Sequence, residues 1–219
     1  MLSDRYKEAI AFAAKLHDDQ TRKGTEIAYL THLMSVSALV MENGGDEDQA
    51  VAALLHDAIE DQGADYQSEF LLEPRHGRDA LKRDIELKYG GRVLSIVVGC
   101  TDDEDFDKPL ESERGTVAAW RARKEAYISH IEAVSDIAIL RVSCADKLHN
   151  ARTILLDMYE HGEQIWTRFR AGSKDSVLWY YRALARQFKA RSDSLNDTGL
   201  SRLSDELLRT VDLLESHDA

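Results

Sequence analysis

Proline is nearly absent from this 219-residue chain: Pro74 and Pro109 are the only two. Because proline breaks helix interiors, long helices are permitted almost everywhere else. Cysteine is as scarce. With Cys100 and Cys144 alone, no disulfide framework or cysteine-rich metal module can be built. Both lie in apolar runs, at the ends of Val97–Cys100 and within Val142–Ala145, and read as core thiols. Basic charge is also short: 28 Lys and Arg against 40 Asp and Glu give a formal net charge of -12. That balance argues against a nucleic-acid partner, which needs a basic surface to displace counterions. It leaves room for a phosphorylated small molecule held by a local group of cations. No apolar run approaches the about 20 residues of a membrane span, so no membrane partner is expected. The polar Met1–Glu8 lacks the apolar centre of a secretory signal, and the expected location is the cytoplasm.

What is present is helix-forming sequence. Long stretches are rich in Ala, Leu, Glu, Lys and Arg, and no sustained period-two alternation occurs, so the fold class is all-α. Ser3 caps a first helix that runs to about Asp19. A polar loop, Gln20–Glu26, leads to a second helix from Thr31 to the Gly44-Gly45 pair. A third begins after Asp46 and carries Val51, Leu54, Leu55 and Ala58. One or two short helices, interrupted by Pro74, follow between Ser68 and Tyr89, and Val93–Cys100 fits helix or strand by pattern alone, with helix favoured because its surroundings are helical. Beyond the acidic loop Asp102–Asp107, helices are expected over Ser112–Ala133, Asp136–Tyr159, Lys174–Ala190 and Ser201–Ser216. The polar linker Ser192–Gly199 suggests a main domain over 1–191 and a helical appendage over 192–219. A chain this long buries roughly 70% of its unfolded surface, so it needs no structural metal, and any metal it binds is free to be catalytic.

The strongest chemical signal is Leu54-Leu55-His56-Asp57-Ala58-Ile59-Glu60-Asp61. Four polar groups follow an apolar run. On one continuous helix His56 and Glu60 would stack at i,i+4, and so would Asp57 and Asp61. His32, one helix earlier, and Asp146, in Ser143-Cys144-Ala145-Asp146-Lys147-Leu148-His149-Asn150, can complete a metal shell. The apolar lead-in Ile137–Val142 predicts that Asp146 is buried or half-buried, and a buried carboxylate is costly unless paired, protonated or metal-bound. Two imidazoles and two carboxylates form a mixed nitrogen and oxygen shell suited to Mn²⁺, Fe²⁺, Zn²⁺, Co²⁺ or Ni²⁺, and composition does not choose among them. Four protein ligands on an octahedral ion leave positions for water and a phosphate oxygen, as metal-assisted hydrolysis requires.

In these residues the sequence resembles the HD-domain superfamily of metal-dependent phosphohydrolases, whose ligand order maps onto His32, His56-Asp57 and Asp146. Within it the resemblance is greatest to the hydrolase domain of the Rel/Spo alarmone enzymes and their small stand-alone relatives. Three local matches carry it: Arg22-Lys23-Gly24 ahead of Tyr29 and His32, the run Ala53–Asp61 with its Glu60-Asp61 pair, and the run Ala145–Thr153. The resemblance implies a helical bundle with a metal site between helices, manganese as the ion, and removal of the 3′-pyrophosphate from guanosine tetra- and pentaphosphate (ppGpp and pppGpp). Leu33 stands where the family has proline after the first ligand histidine. The stretch Phe70–Gly91 is longer than the family's connection, and the acidic loop departs from it as well.

The roles follow from both lines. Glu60 and Asp61, one turn from the ligands, are the candidates to orient or deprotonate the attacking water. Arg22 and Lys23 offer cations to a pyrophosphate or a base. Asn150 and Thr153 share a helical face with Asp146, and the resemblance assigns them to the nucleoside. Lys108 belongs to a second basic group with Arg121, Arg123 and Lys124. The partner is thus a small phosphorylated nucleotide, and a homo-oligomer is left open. The competing readings are an HD phosphohydrolase for another nucleotide, such as a 5′-monophosphate or cyclic nucleotide, and a nucleotide sensor without turnover.

Overall fold

The computed structural model of the chain describes residues 2–68, 76–101, 116–169 and 173–216. Among the described residues the fold is all-α. There is no strand, only two isolated bridges, Thr21 with Ala28 and Gln67 with His76, which close loops. The helices are α1 (Asp4–Leu16), α2 (Leu30–Glu42), α3 (Glu47–Leu55), α4 (Ala58–Gln62), α5 (Arg78–Tyr89), α6 (Gly91–Cys100), α7 (Val117–Ala133), α8 (Ile137–His161), α9 (Lys174–Leu195) and α10 (Thr198–Ser216). A 3₁₀ segment, Gly162–Arg168, follows α8.

Short polar side chains start these helices by satisfying first-turn amides. Ser3 accepts from the Arg5 amide, Asp46 from Gln49, Thr116 from Ala119, Asp136 from Ala138 and Ser173 from Ser176. Asn196 ends α9 in the left-handed region at φ 52°, a conformation asparagine tolerates better than most side chains.

The 25-residue α8 is the axis of the bundle. It packs against α2, α3, α6, α9 and α10, while α7 leans on α9 and α1 on α3. The first half of α8 is buried almost all round, through Leu140, Val142, Ser143, Cys144, Ala145 and Asp146. A helix so enclosed delivers its polar residues to the interior, which is how Asp146 reaches a buried site. The boundary expected between residues 191 and 192 falls inside α9. Leu200, Leu203, Leu207, Val211 and Leu214 of α10 lie in the same hydrophobic cluster as the core of α8 and α9. Gly199 lets α10 approach the end of α2, since a Cβ there would collide with the Asn43 carbonyl oxygen. No helix among the described residues is long and apolar enough to cross a membrane.

The third expected helix is not continuous. It stops at Leu55, turns at His56 and Asp57, and resumes as α4. Asp57 sits at φ -95° and ψ -4°, the bridge region frequented by active-site residues. Consecutive residues on a helix do not face the same way. The turn removes that restriction, so His56 and Asp57 reach one point. Pro74, Pro109, the acidic loop 102–107 and Lys108 lie outside the described residues.

Candidate metal centre and adjoining cavities

Four side chains from three segments converge beside α8. His32 comes from the first turn of α2, His56 and Asp57 from the turn between α3 and α4, and Asp146 from α8. His32 Nε2 lies 3.2 Å from Asp146 Oδ1 and 3.7 Å from Asp57 Oδ2. His56 Nε2 lies 3.0 Å from Asp57 Oδ2 and 3.7 Å from Asp146 Oδ1. Ligand atoms of His32, His56 and Asp57 lie within 4.8 Å of one another, and Asp146 reaches both imidazoles from the other side. His32 and His56 are 0% and 4% exposed, yet neither Nε2 has a properly directed hydrogen-bond partner. Buried imidazole nitrogens in that condition are unusual. Together with two carboxylate oxygens they form a donor set that fits a divalent cation.

The outer contacts hold these groups in place. His56 Nδ1 donates to the Ala53 carbonyl at 2.8 Å. The Tyr29 hydroxyl donates to Asp57 Oδ2 at 2.5 Å. Lys147 Nζ donates to Asp146 Oδ2 at 2.7 Å, and Asn150 Nδ2 donates to Asp146 Oδ1 at 2.5 Å. Burial works to raise the Asp57 carboxyl, but the neighbouring imidazoles of His56 and His32 outweigh it and hold it below the ordinary carboxylate range. Burial opposes ionisation of Asp146 too, and Lys147 with the two histidines overcomes it. Both carboxylates therefore stand ready as anionic ligands.

A small cavity of about 180 Å³ opens at this point. Glu60 and Asp61 stand on its wall. Their position differs in origin from the stacked arrangement, because the turn at His56–Asp57 separates them from a continuous helix. Asp61 Oδ2 accepts from Gln20 Nε2 at 2.7 Å, and burial followed by the Asp57 charge raises its carboxyl. Lys124 and Lys147 also line this cavity.

A second cavity, about 390 Å³, adjoins the first through Arg22, Tyr29 and Asn150, which line both. Arg22 donates to Asn150 Oδ1 at 2.6 Å, and its guanidinium lies 5.6 Å from the Tyr29 ring centroid. Lys23, His149, Thr153 and Phe169 line the larger cavity, with Lys23 Nζ 5.4 Å from the Phe169 ring centroid. The hydroxyl of Thr153 donates to the His149 carbonyl at 3.0 Å. Thus Arg22, Lys23, Asn150 and Thr153 gather around one space. A still larger cavity, about 570 Å³, lies between α1, Lys88 and Gln67, away from the imidazoles.

Sequence reasoning gave no separate role to Tyr29, Lys147 or His149, although all three lie inside the quoted motifs. Their spacing was the available signal: Tyr29 precedes His32 by three residues, and His149 follows Asp146 by three, so each lies near the same helical face as a ligand.

Comparison with known proteins agrees with this geometry. The family model described as HD domain matches residues 9–175. Guanosine-3′,5′-bis(diphosphate) 3′-pyrophosphohydrolase MESH1 of Xenopus tropicalis is 33% identical over 150 residues, covering 67% of this chain and 68% of that protein. The bifunctional (p)ppGpp synthase/hydrolase SpoT of Escherichia coli K12 is 31% identical over 150 residues, or 68% of this chain. The chain spans only 18% of the length of that larger enzyme. A solved structure of a metazoan orthologue of SpoT, described as hydrolyzing ppGpp, superposes with a TM-score of 0.65 at 24% identity, covering 97% of this chain and 98% of the other.

Proposed function

The chain belongs to the HD-domain family, and from that premise we propose that it is a metal-dependent phosphohydrolase that removes the 3′-pyrophosphate from ppGpp and pppGpp. The observation that carries the reading is the convergence of His32, His56, Asp57 and Asp146, with two buried imidazole nitrogens left without directed partners. The substrate class is supported by the MESH1 relative, whose length this chain largely covers.

His32, His56, Asp57 and Asp146 would hold a divalent ion; their mixed nitrogen and oxygen donors suit several metals, and the resemblance to the alarmone hydrolases is what favours manganese. A divalent ion held there supplies Lewis-acid polarisation of a phosphoryl oxygen and a water nucleophilic near neutral pH. The remaining steps belong to the protein. Glu60 and Asp61, on the wall of the small cavity, orient the attacking water and take its proton. Lys124 and Lys147 face the same cavity and offset phosphate charge. Arg22 stands at the junction of the two cavities, where a pyrophosphate on one side meets a nucleoside on the other. Lys23, Asn150 and Thr153 border the nucleoside side; Lys108, outside the described residues, is proposed as a further cation for the phosphates from the sequence alone. A net charge of -12 favours such a small ligand over a polynucleotide, and the cytoplasm is where we place the reaction.

The test is a nucleotide panel incubated with the protein and Mn²⁺, with products separated by ion exchange. Release of pyrophosphate and GDP from ppGpp is the expected result. Turnover confined to 5′-monophosphates or cyclic nucleotides would move the protein to another branch of phosphohydrolases. Tight ppGpp binding without turnover would make it a sensor.

A further inference from the structure

The two candidate imidazole ligands are oriented by unlike partners. His56 Nδ1 lies 2.8 Å from the Ala53 carbonyl. A carbonyl only accepts, so His56 carries a proton on Nδ1, and in the neutral ring a metal ligand must be, Nε2 is the lone pair. His32 Nδ1 instead lies 2.8 Å from Nδ1 of His149, with ring centroids 4.8 Å apart. Two imidazoles can share a proton in either direction. If His149 donates, a neutral His32 carries its proton on Nε2, facing Asp146 Oδ1 at 3.2 Å, and cannot ligate a cation. If His149 accepts, His32 carries its proton on Nδ1, and Nε2 is a lone pair aimed at the centre.

We propose that His149 is a positioning residue for the metal: its Nδ1 accepts the Nδ1–H of His32 and so holds the His32 Nε2 lone pair on the ion. The inference rests on the metal reading of the site. Metal-bound histidines are usually fixed through their other nitrogen by a carboxylate, a carbonyl or water. A neutral imidazole does the same without adding a third anion beside Asp57 and Asp146. The backbone of His149 is independently tied, because its carbonyl takes the Thr153 hydroxyl at 3.0 Å. The arrangement also fixes the tautomer of His149. Its own proton must sit on Nε2, the one remaining polar atom of a ring whose residue lines the 390 Å³ cavity.

The test is zinc affinity, measured by chelator competition on the full chain for the parent protein, His149→Leu and His149→Asn. Asparagine places Oδ1 where histidine has Nδ1 and keeps the acceptor; leucine removes it. His149→Leu is expected to weaken zinc binding about 10–100-fold, the usual cost of losing an outer partner, while His149→Asn recovers most of the loss. Parent-like affinity in His149→Leu would overturn the proposal, and so would equal weakening in both variants, which would indicate lost packing. A second measurement needs no substitution. In the zinc-loaded parent, ¹H–¹⁵N correlation of the imidazoles should place the proton on Nδ1 of His32 and on Nε2 of His149. A proton on His149 Nδ1 would overturn the assignment. Failure of the parent to take up zinc would be a different result, removing the metal reading and this inference with it.

Discussion

His56 Nε2 lies 3.0 Å from Oδ2 of Asp57, its own neighbour in the chain. Adjacent side chains on an α-helix diverge, so this approach exists only because the helix breaks between α3 and α4. The break turns a sequence doublet into two candidate ligands for one ion. Asp57→Ala and His56→Ala should each abolish metal-dependent hydrolysis. Metal affinity should fall by more than the about 100-fold that outer partners cost. Circular dichroism of the metal-free variants should remain that of the parent, because the core is built from other residues. Undiminished hydrolysis by metal-stripped parent protein would remove the mechanism.

The helices could be read from capping and composition. Ser3, Asp46 and Asp136 each announce a helix start, and each caps one. The turn at His56–Asp57 could not be read. Neither glycine nor proline marks it, and every residue from Leu54 to Ile59 is compatible with uninterrupted helix. Two side-chain contacts hold the bend, one local and one tertiary: the Ala53 carbonyl accepts from His56 Nδ1, and the Tyr29 hydroxyl donates to Asp57. The site residues were legible as types in order, whereas their partners were not. Lys124 looked like one of several charges on a helix face, and only the packing of α7 shows it on the small cavity. The 3₁₀ segment Gly162–Arg168 was also missed, although Gly162, at φ 61°, marks the end of α8.

Glu60 and Asp61 should matter for turnover more than for metal retention. Both stand on the small cavity, outside the converging donor set. Removing their charge in Glu60→Gln and Asp61→Asn leaves all four candidate ligands intact. The rate should drop by about 10²–10⁴, the usual worth of general acid–base catalysis, with metal content near that of the parent. Metal content by emission spectrometry, measured beside kcat, separates the outcomes. Parent-like turnover in both variants would reduce the pair to a polar helix end.

Arg141 is a buried cation whose partners come from distant segments. It is 6% exposed, and its Nη2 donates to both carboxylate oxygens of Asp197, at 3.0 and 2.9 Å, while Nη1 donates to Gln49 Oε1. Asp197 also accepts from the Leu200 amide at 2.7 Å at the start of α10. Asp197→Ala would leave the guanidinium uncompensated and remove a helix-starting contact. Breaking such a pair costs about 3–5 kcal/mol, and urea unfolding of the variant should show it. Arg141→Met with Asp197→Leu, which removes both charges, should recover much of the loss. A cost below about 1 kcal/mol for Asp197→Ala, the value of a surface pair, would mean that water reaches Arg141.

Asp136 combines a cap with an ion pair, and pH can separate them. It accepts from the Ala138 amide at 2.9 Å to start α8 and takes both terminal nitrogens of Arg92. The hydrogen bond from Arg92 is the main cause of a lowered Asp136 pKa, and burial opposes it. A group whose folded pKa is depressed stabilises the fold above its unfolded value, about 3.9 for Asp. That contribution disappears as pH falls through the folded pKa. Asparagine caps helices as well as aspartate, so Asp136→Asn isolates the charge. At pH 7 the variant should be less stable by up to about 1 kcal/mol, because the pair is substantially exposed. The difference should shrink below about pH 4 and also at 1 M salt, where the screening length falls to about 3 Å. Asp136→Ala should lose roughly a further 1 kcal/mol that persists at low pH, since it removes the cap itself. Urea unfolding at pH 7 and pH 3 provides all the comparisons. A gap between parent and Asp136→Asn that is constant across this range would show that the charge of Asp136 contributes nothing to the fold.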